Sequence, residues 1–208
     1  TAEDLKALVD EKIERLKQDL PVNHIIEYDG VITDSIEAQK ALNSNMPMVL
    51  GFIVILLVIQ FNSYRKTAVI ALTIPLSFIG AVIGLLVMNA PFGFMVILGL
   101  YSLAGIIVNN AIVLIDRIKI EIKEGKSEYD AVIEACLTRL RPITMTTITT
   151  IMGLLPLILT KDPLFYGMAN VIAFGLGIGT ILTLCVVPSL YCSFYKVSRN
   201  SAQASKSQ

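Results

Sequence analysis

Inside a long apolar stretch, Asn109 and Asn110 stand side by side in Gly105-Ile-Ile-Val-Asn-Asn-Ala-Ile-Val-Leu-Ile-Asp116, and further on Thr144, Thr146, Thr147, Thr149 and Thr150 crowd together before Gly153. An amide does not titrate, but it can hold a carboxylate or a water molecule, and a row of hydroxyls can line a wet strip. Polar side chains at hydrocarbon depth are costly unless they face other helices or a water path, so these are the residues on which function rests. Adjacent helical positions differ by about 100°, so the two amides reach different neighbours. Thr146, Thr149, Thr150 and Gly153 share one face. Two readings stand for each group. The amides serve as interhelical glue or take part in proton coupling. The hydroxyls line a polar strip or bond the carbonyl one turn back on their own helix. Arg139 and Arg141 precede Pro142 at the lip of the apolar run, where Arg141 reads as a charge anchor.

Other chemistries find no support. No nucleophile stands with a base, no glycine loop is spaced for phosphate, and no catalytic residue or cofactor is expected. Cys136, Cys185 and Cys192 lie in or beside apolar segments without metal-ligand spacing and read as small packing residues. The seven methionines form no evident soft-ligand trio and His24 stands alone, so no metal site is expected either. Nucleic-acid binding is equally unsupported.

The elements that position the amides and hydroxyls follow from the charge-free runs. Hydrophobic residues make up 54% of the 208 and charged ones 16%, a balance suited to a polytopic membrane protein. A span needs about 20 apolar residues. The runs give five spans, about 46–61, 67–88, 93–115, 142–160 and 168–195, the second and third parted where Asn89, Pro91 and Gly93 cluster. Residues 116–141 are then a linker and 196–208 a tail. Arg65 and Lys66, the six Lys and Arg of 117–141, and the tail's Lys196, Arg199 and Lys206 fall on alternate sides of the spans from residues 1–45, which puts them in the cytoplasm and residues 1–45 outside. Net charge is zero, and Asp and Glu outnumber Lys and Arg ten to five before residue 46 and are outnumbered seven to twelve after it. Gly80 and Gly84, in GxxxG spacing, together with Gly105, Gly153, Gly175 and Gly179, are expected to serve close helix packing. Pro75, Pro156 and Pro188 should bend their spans or free carbonyls for neighbours.

Residues 1–45 read differently. Leu5, Leu8, Val9, Ile13, Leu16 and Leu20 mark an amphipathic helix stopped by Pro21. Val22 to Tyr28 reads as a strand, Asp29-Gly30 as a turn, and Asp34 with Glu37 as the start of a second helix. A lone strand needs sheet partners, so this is expected to be the tail of a larger α/β domain. Because the chain opens on Thr1 with no basic and apolar leader, it is expected to begin mid-protein. The fold class is thus an all-α polytopic membrane protein with a small N-terminal α/β remnant.

Gln60-Phe-Asn-Ser-Tyr-Arg-Lys, Leu72-Thr-Ile-Pro-Leu, the Gly105 to Asp116 string and Arg139-Leu-Arg-Pro-Ile-Thr-Met-Thr-Thr, in this order and spacing, resemble the C-terminal half of resistance-nodulation-division (RND) efflux pumps of the hydrophobe/amphiphile type. The resemblance runs over nearly the whole chain. It implies helices eight to twelve of a twelve-helix protomer, preceded by the end of a periplasmic porter subdomain. It further implies a homotrimer in the bacterial inner membrane, a periplasmic adaptor, an outer-membrane channel, and export of small amphiphilic or toxic compounds driven by inward proton flow. The titrating aspartate pair of the family belongs to helix four, in the N-terminal half absent from this chain, and faces helix ten. By position, Arg139 and Thr146 match the family's relay arginine and threonine, and Asp116 an acidic residue at the inner end of helix ten. Where multidrug members carry lysine, this chain has Asn109, so charge balance falls to Arg139, to water, or to protonation of both acids. A protein-export motor of the same superfamily and a truncated scaffold without transport are the competing readings.

Overall fold

A computed structural model describes residues 9, 12–14 and 31–195. The expected amphipathic helix falls largely outside those residues and the strand over 22–28 with its turn wholly outside them, whereas the expected second helix, from Asp34 and Glu37, lies within the helix that begins at Val31. Among the described residues all regular structure is helical. Residues 9 and 12–14 are helical, and six further helices follow: α1 (Val31–Phe61), α2 (Tyr64–Ala71), α3 (Thr73–Val87), α4 (Phe94–Lys123), α5 (Glu128–Leu159) and α6 (Tyr166–Tyr195). Because α2 and α3 together make one span, five segments are long and apolar enough to cross a bilayer. Their interruption at Leu72 falls just before Pro75, which has no N–H to offer the Ala71 carbonyl.

The apolar windows sit inside longer helices. Residues 116–141 are two helix ends joined by the short turn at 124–127, because the charges there mark the edge of the apolar run and do nothing to stop a helix. The stops are backbone caps. Asn89, Gly125 and Lys161 adopt left-handed φ of 47°, 90° and 50°. At each of them two amides turn back on the preceding turn: Ala90 to Leu85 and Asn89 to Leu86, Lys126 to Glu121 and Gly125 to Ile122, Asp162 to Leu157 and Lys161 to Ile158. This is the Schellman closure, natural for Gly and Asn and mildly strained for Lys161. Ser127 opens α5, its hydroxyl accepting the Asp130 N–H at 3.2 Å.

The described residues divide at Ile55/Leu56 into two compact units. In the first, α1 runs on through Pro47, with Asn45 Nδ2 donating to the Ala41 carbonyl at 3.1 Å. In the second, α6 is the central helix, in contact with α2, α3, α4 and α5. Its glycines explain how. A Cβ on Gly80 would lie 2.9 Å from both Ile178 Cβ and the Phe174 carbonyl oxygen, and one on Gly84 would overlap Phe174, 2.7 Å from its Cγ. Gly175 receives Leu103 of α4, and Gly179 receives Ile107 and Ser77, each 3.1 Å from where its Cβ would be. Small residues thus let α3 and α4 pack closely on α6, as packing in lipid requires. At the basic end, Leu57, Phe61, Ile70, Leu114, Ile118, Val187 and Tyr191 form a closed apolar cluster. There Tyr191 and Tyr195 stack at 4.6 Å, and Ser63 and Tyr195 share a 3.2 Å hydrogen bond.

Two polar contacts hold α5. Thr147 and Thr180 hydroxyls meet at 3.0 Å in a buried setting. Interhelical hydrogen bonds of this kind contribute about 0.6 kcal/mol. A double-mutant cycle of Thr147→Val and Thr180→Val is expected to return a coupling of that order, and a value indistinguishable from zero would show that the pair adds nothing. At the α4–α5 turn, the fully buried Glu121 carboxylate bridges Arg117 and Lys126, the latter at 2.5 Å. Its hydrogen bond to Lys126 holds that ammonium above the ordinary lysine range. The same contact holds the Glu121 carboxyl below its ordinary range, so the contribution is present at neutral pH and is lost as strong alkali titrates the lysine or as acid protonates the carboxylate. Removing the carboxylate strands two cations, so Glu121→Gln should lower the melting temperature clearly more than Glu124→Gln at the exposed neighbouring position. Equal effects would deny the bridge a structural role.

Candidate proton-coupling face

The outward side of α4 has an unusual composition. From Phe94 to Ile122 the exposed residues are Ser102, Gly105 and Asn109, spaced three and four apart on one face, with half-buried Asp116 two turns further along it. No large apolar side chain on α4 is exposed, whereas α3 exposes Ile79, Val82, Ile83, Leu86 and Val87. Helix α5 presents two unlike stripes. Met145, Ile148, Met152, Leu155 and Leu159 are exposed and apolar, the character of a lipid-facing surface. Pro142, Thr146, Thr149, Gly153 and Pro156, about 100° away, are exposed and small or polar. A Cβ added at Gly105 or Gly153 would meet nothing within 4 Å.

The two small-polar stripes lie at one depth. Ile107 abuts Gly179, whose neighbour Thr180 bonds Thr147. Residues 107, 179 and 147 therefore share a level. Helix α4 descends from there to Asn109 while α5 rises from Thr146, so their Cα atoms differ in depth by roughly 2 Å at 1.5 Å per residue. The α5 stripe continues, seven residues before Pro142, into Ala135, which is buried in the cluster that holds Ala111, Leu114 and Ile118 of α4. It thus emerges along the α4 side of the helix.

Within the stripe the hydroxyls satisfy themselves. Thr146 donates to the Ile143 carbonyl at 2.9 Å, Thr149 to Met145 at 2.9 Å and Thr150 to Thr146 at 2.8 Å. A hydroxyl that donates to a carbonyl keeps its own lone pairs free to accept. Asn109 is exposed and Asn110 half-buried, so the two amides do point to different surroundings. Arg139 is half-buried at the basic end of α5, and its Nε is buried with no acceptor among the described residues. Thr147 was not singled out by the face containing Thr146, Thr149 and Thr150. It stands in the stripe of Ile143, Ile151 and Leu154, where a hydroxyl among apolar positions signals an interhelical bond. No cluster of three or more metal-ligating side chains occurs among the described residues.

Residues 1–195 match the AcrB/AcrD/AcrF family. The swarming motility protein SwrC of Bacillus subtilis (strain 168) is 37% identical over 195 residues, covering 90% of this chain and 18% of SwrC. Two crystal forms of a heavy metal efflux pump superpose with TM-scores of 0.70 and 0.64 at 27% and 26% identity, over 92% and 90% of this chain and 20% and 19% of theirs. The chain therefore spans about a fifth of the length of the relatives it matches. With five apolar helices in that arrangement and the match running through the last of them, the chain is a multi-pass membrane part of an RND transporter and belongs to the AcrB/AcrD/AcrF family.

Proposed function

We propose that this chain is the C-terminal membrane part of a proton-motive-force-driven efflux pump, whose α4 and α5 present a small-polar face to helices bearing the titrating carboxylates. The observation that carries this reading is the outer side of α4, which offers Ser102, Gly105 and Asn109 and not one exposed large apolar side chain. Such a surface is unsuited to acyl chains and suited to close helix approach. On it, the Asn109 amide orients a carboxylate or water, the free lone pairs of Thr146 accept a hydrogen bond, and Arg139 supplies a fixed positive charge at the basic end. Asp116 lies on the same α4 stripe toward that end. The family position of these residues supports the same roles. The pump works as a homotrimer in the inner membrane with its C-terminus in the cytoplasm, coupled to a periplasmic adaptor and an outer-membrane channel, and it exports small amphiphilic compounds. Heavy-metal export is the second reading, favoured by the 0.70 TM-score to a heavy metal efflux pump. Export assays with zinc or copper salts against amphiphilic dyes separate the two.

The coupling role is tested in the full-length transporter reconstituted into vesicles with an imposed pH gradient. Leaving a desolvated partner unsatisfied costs about 1–3 kcal/mol, a five- to hundredfold loss of rate. Asn109→Leu combined with Thr146→Val is expected to slow substrate-dependent proton uptake by that much while the melting temperature stays unchanged. Wild-type flux in the double variant would end the proposal.

A further inference from the structure

Two polar groups inside the bundle have no counterpart in the coupling face. Thr183 of α6 is 3% exposed, and its buried hydroxyl has no hydrogen-bond partner among the described residues. The half-buried Asn110 side chain of α4 likewise makes no hydrogen bond there. The register of the α4–α6 contact brings them together. Leu103 seats on Gly175 and Ile107 on Gly179, so each turn of one helix meets a turn of the other. Thr183 is the next step of four beyond Gly179, and the matching turn of α4 is Asn110 and Ala111. Asn110, seven residues beyond Leu103, lies on the side of α4 that faces α6. Thr180, one turn from Thr183, is already bonded to Thr147 of α5. Asn110, Thr183, Thr180 and Thr147 are thus gathered within about one helical turn where three helices meet.

Their surroundings are dry. Ile107, Ala111, Leu114, Leu176 and Val187 are all buried at this level or within a turn or two of it. A hydroxyl left bare among such groups carries a desolvation cost with no return. Thr183 does not turn back on the Gly179 carbonyl as Thr146, Thr149 and Ser189 do on theirs. We propose that this node is a binding site for a single ordered water molecule, held between the Asn110 amide and the Thr183 hydroxyl, with Thr180 as third partner. Two to four polar partners are what an internal water requires. Asn110 offers a donor and an acceptor, Thr183 a donor and lone pairs, and Thr180 a lone pair beyond its bond to Thr147. The water joins α4 to α6 at the turn that carries Asn109 and fixes the Asn110 rotamer. The site stands apart from proton coupling, since a bundle that carried no protons would hold the same molecule.

The full-length transporter in lipid nanodiscs, imaged by electron cryomicroscopy at a resolution that shows ordered waters, supplies the test. A peak within hydrogen-bond distance of both Thr183 Oγ1 and the Asn110 amide is expected. Thr183→Val keeps the side-chain shape and removes the hydroxyl; it should abolish the peak and lower the melting temperature by roughly a degree or two. Thr183→Ser should restore both. Density showing Thr183 bonded to Gly179 or directly to Asn110 with no water between would overturn the site, as would a Thr183→Val protein as stable as wild type or more so.

Discussion

Replacing Gly105 with leucine is expected to leave the five-span part folded and to stop the intact transporter. Within this chain a Cβ at this position meets nothing within 4 Å, and Leu is a better helix former than Gly by about 0.8 kcal/mol, so the bundle itself tolerates the change. Against a helix seated on the stripe of Ser102, Gly105 and Asn109, the same side chain is an overpacking insertion of about 1–3 kcal/mol. It also pushes that helix away from Asn109 and Thr146. Substrate-driven proton uptake should fall at least about tenfold, for displacements near 1 Å at a reacting centre cost on the order of a hundredfold. Ile79→Leu, on the exposed apolar side of α3, is the control and should change neither flux nor melting. A Gly105→Leu transporter running at the wild-type rate would mean that nothing packs on this face.

The second large effect belongs to Gly84. Its absent Cβ is replaced in space by the Phe174 ring and by Phe174 Cβ itself, which is tied to the α6 backbone and cannot rotate away. Gly84→Val therefore separates α3 from the central helix and should cost about 3 kcal/mol or more, the upper end of overpacking. Gly175→Ala presses on a terminal methyl of Leu103, which can change rotamer, and should cost less. Gly177→Ala meets Ile151 Cδ1 at an ordinary 3.5 Å and should be nearly silent. Melting temperatures of the three variants in detergent should fall in that order, Gly84→Val lowest. A silent Gly84→Val would mean that α3 and α6 do not meet through these glycines.

The number of spans was legible because charge cannot be left in the hydrocarbon core, so the charge-free runs of 67–115 and 142–160 are also the apolar helices. Their ends were not, since a helix stops on backbone geometry. Asn89 and Gly125 are residues that suit a left-handed cap, whereas Lys161 adopts the same φ with no sequence sign of it. Asn109 and Thr146 were legible as residues out of place in lipid, and their common depth follows only from contacts three helices apart. The bond of Thr147 to Thr180 is not legible in the sequence because a wheel of α5 marks which hydroxyls share a face without saying which face has a neighbour. The titrating partners proposed for this face lie outside these 208 residues, so that half of the candidate site is not legible in them.

The hydrophilic seam along α4 also bears on how the protein is made. A ribosome that delivered these five spans alone would leave amides and glycine backbone against acyl chains, the kind of defect that insertion chaperones retain and quality-control proteases clear. Cellular abundance of this part should then depend on synthesis of the helices that shield it, so that assembly itself, ahead of any transport, is what the sparse outer surface of α4 enforces.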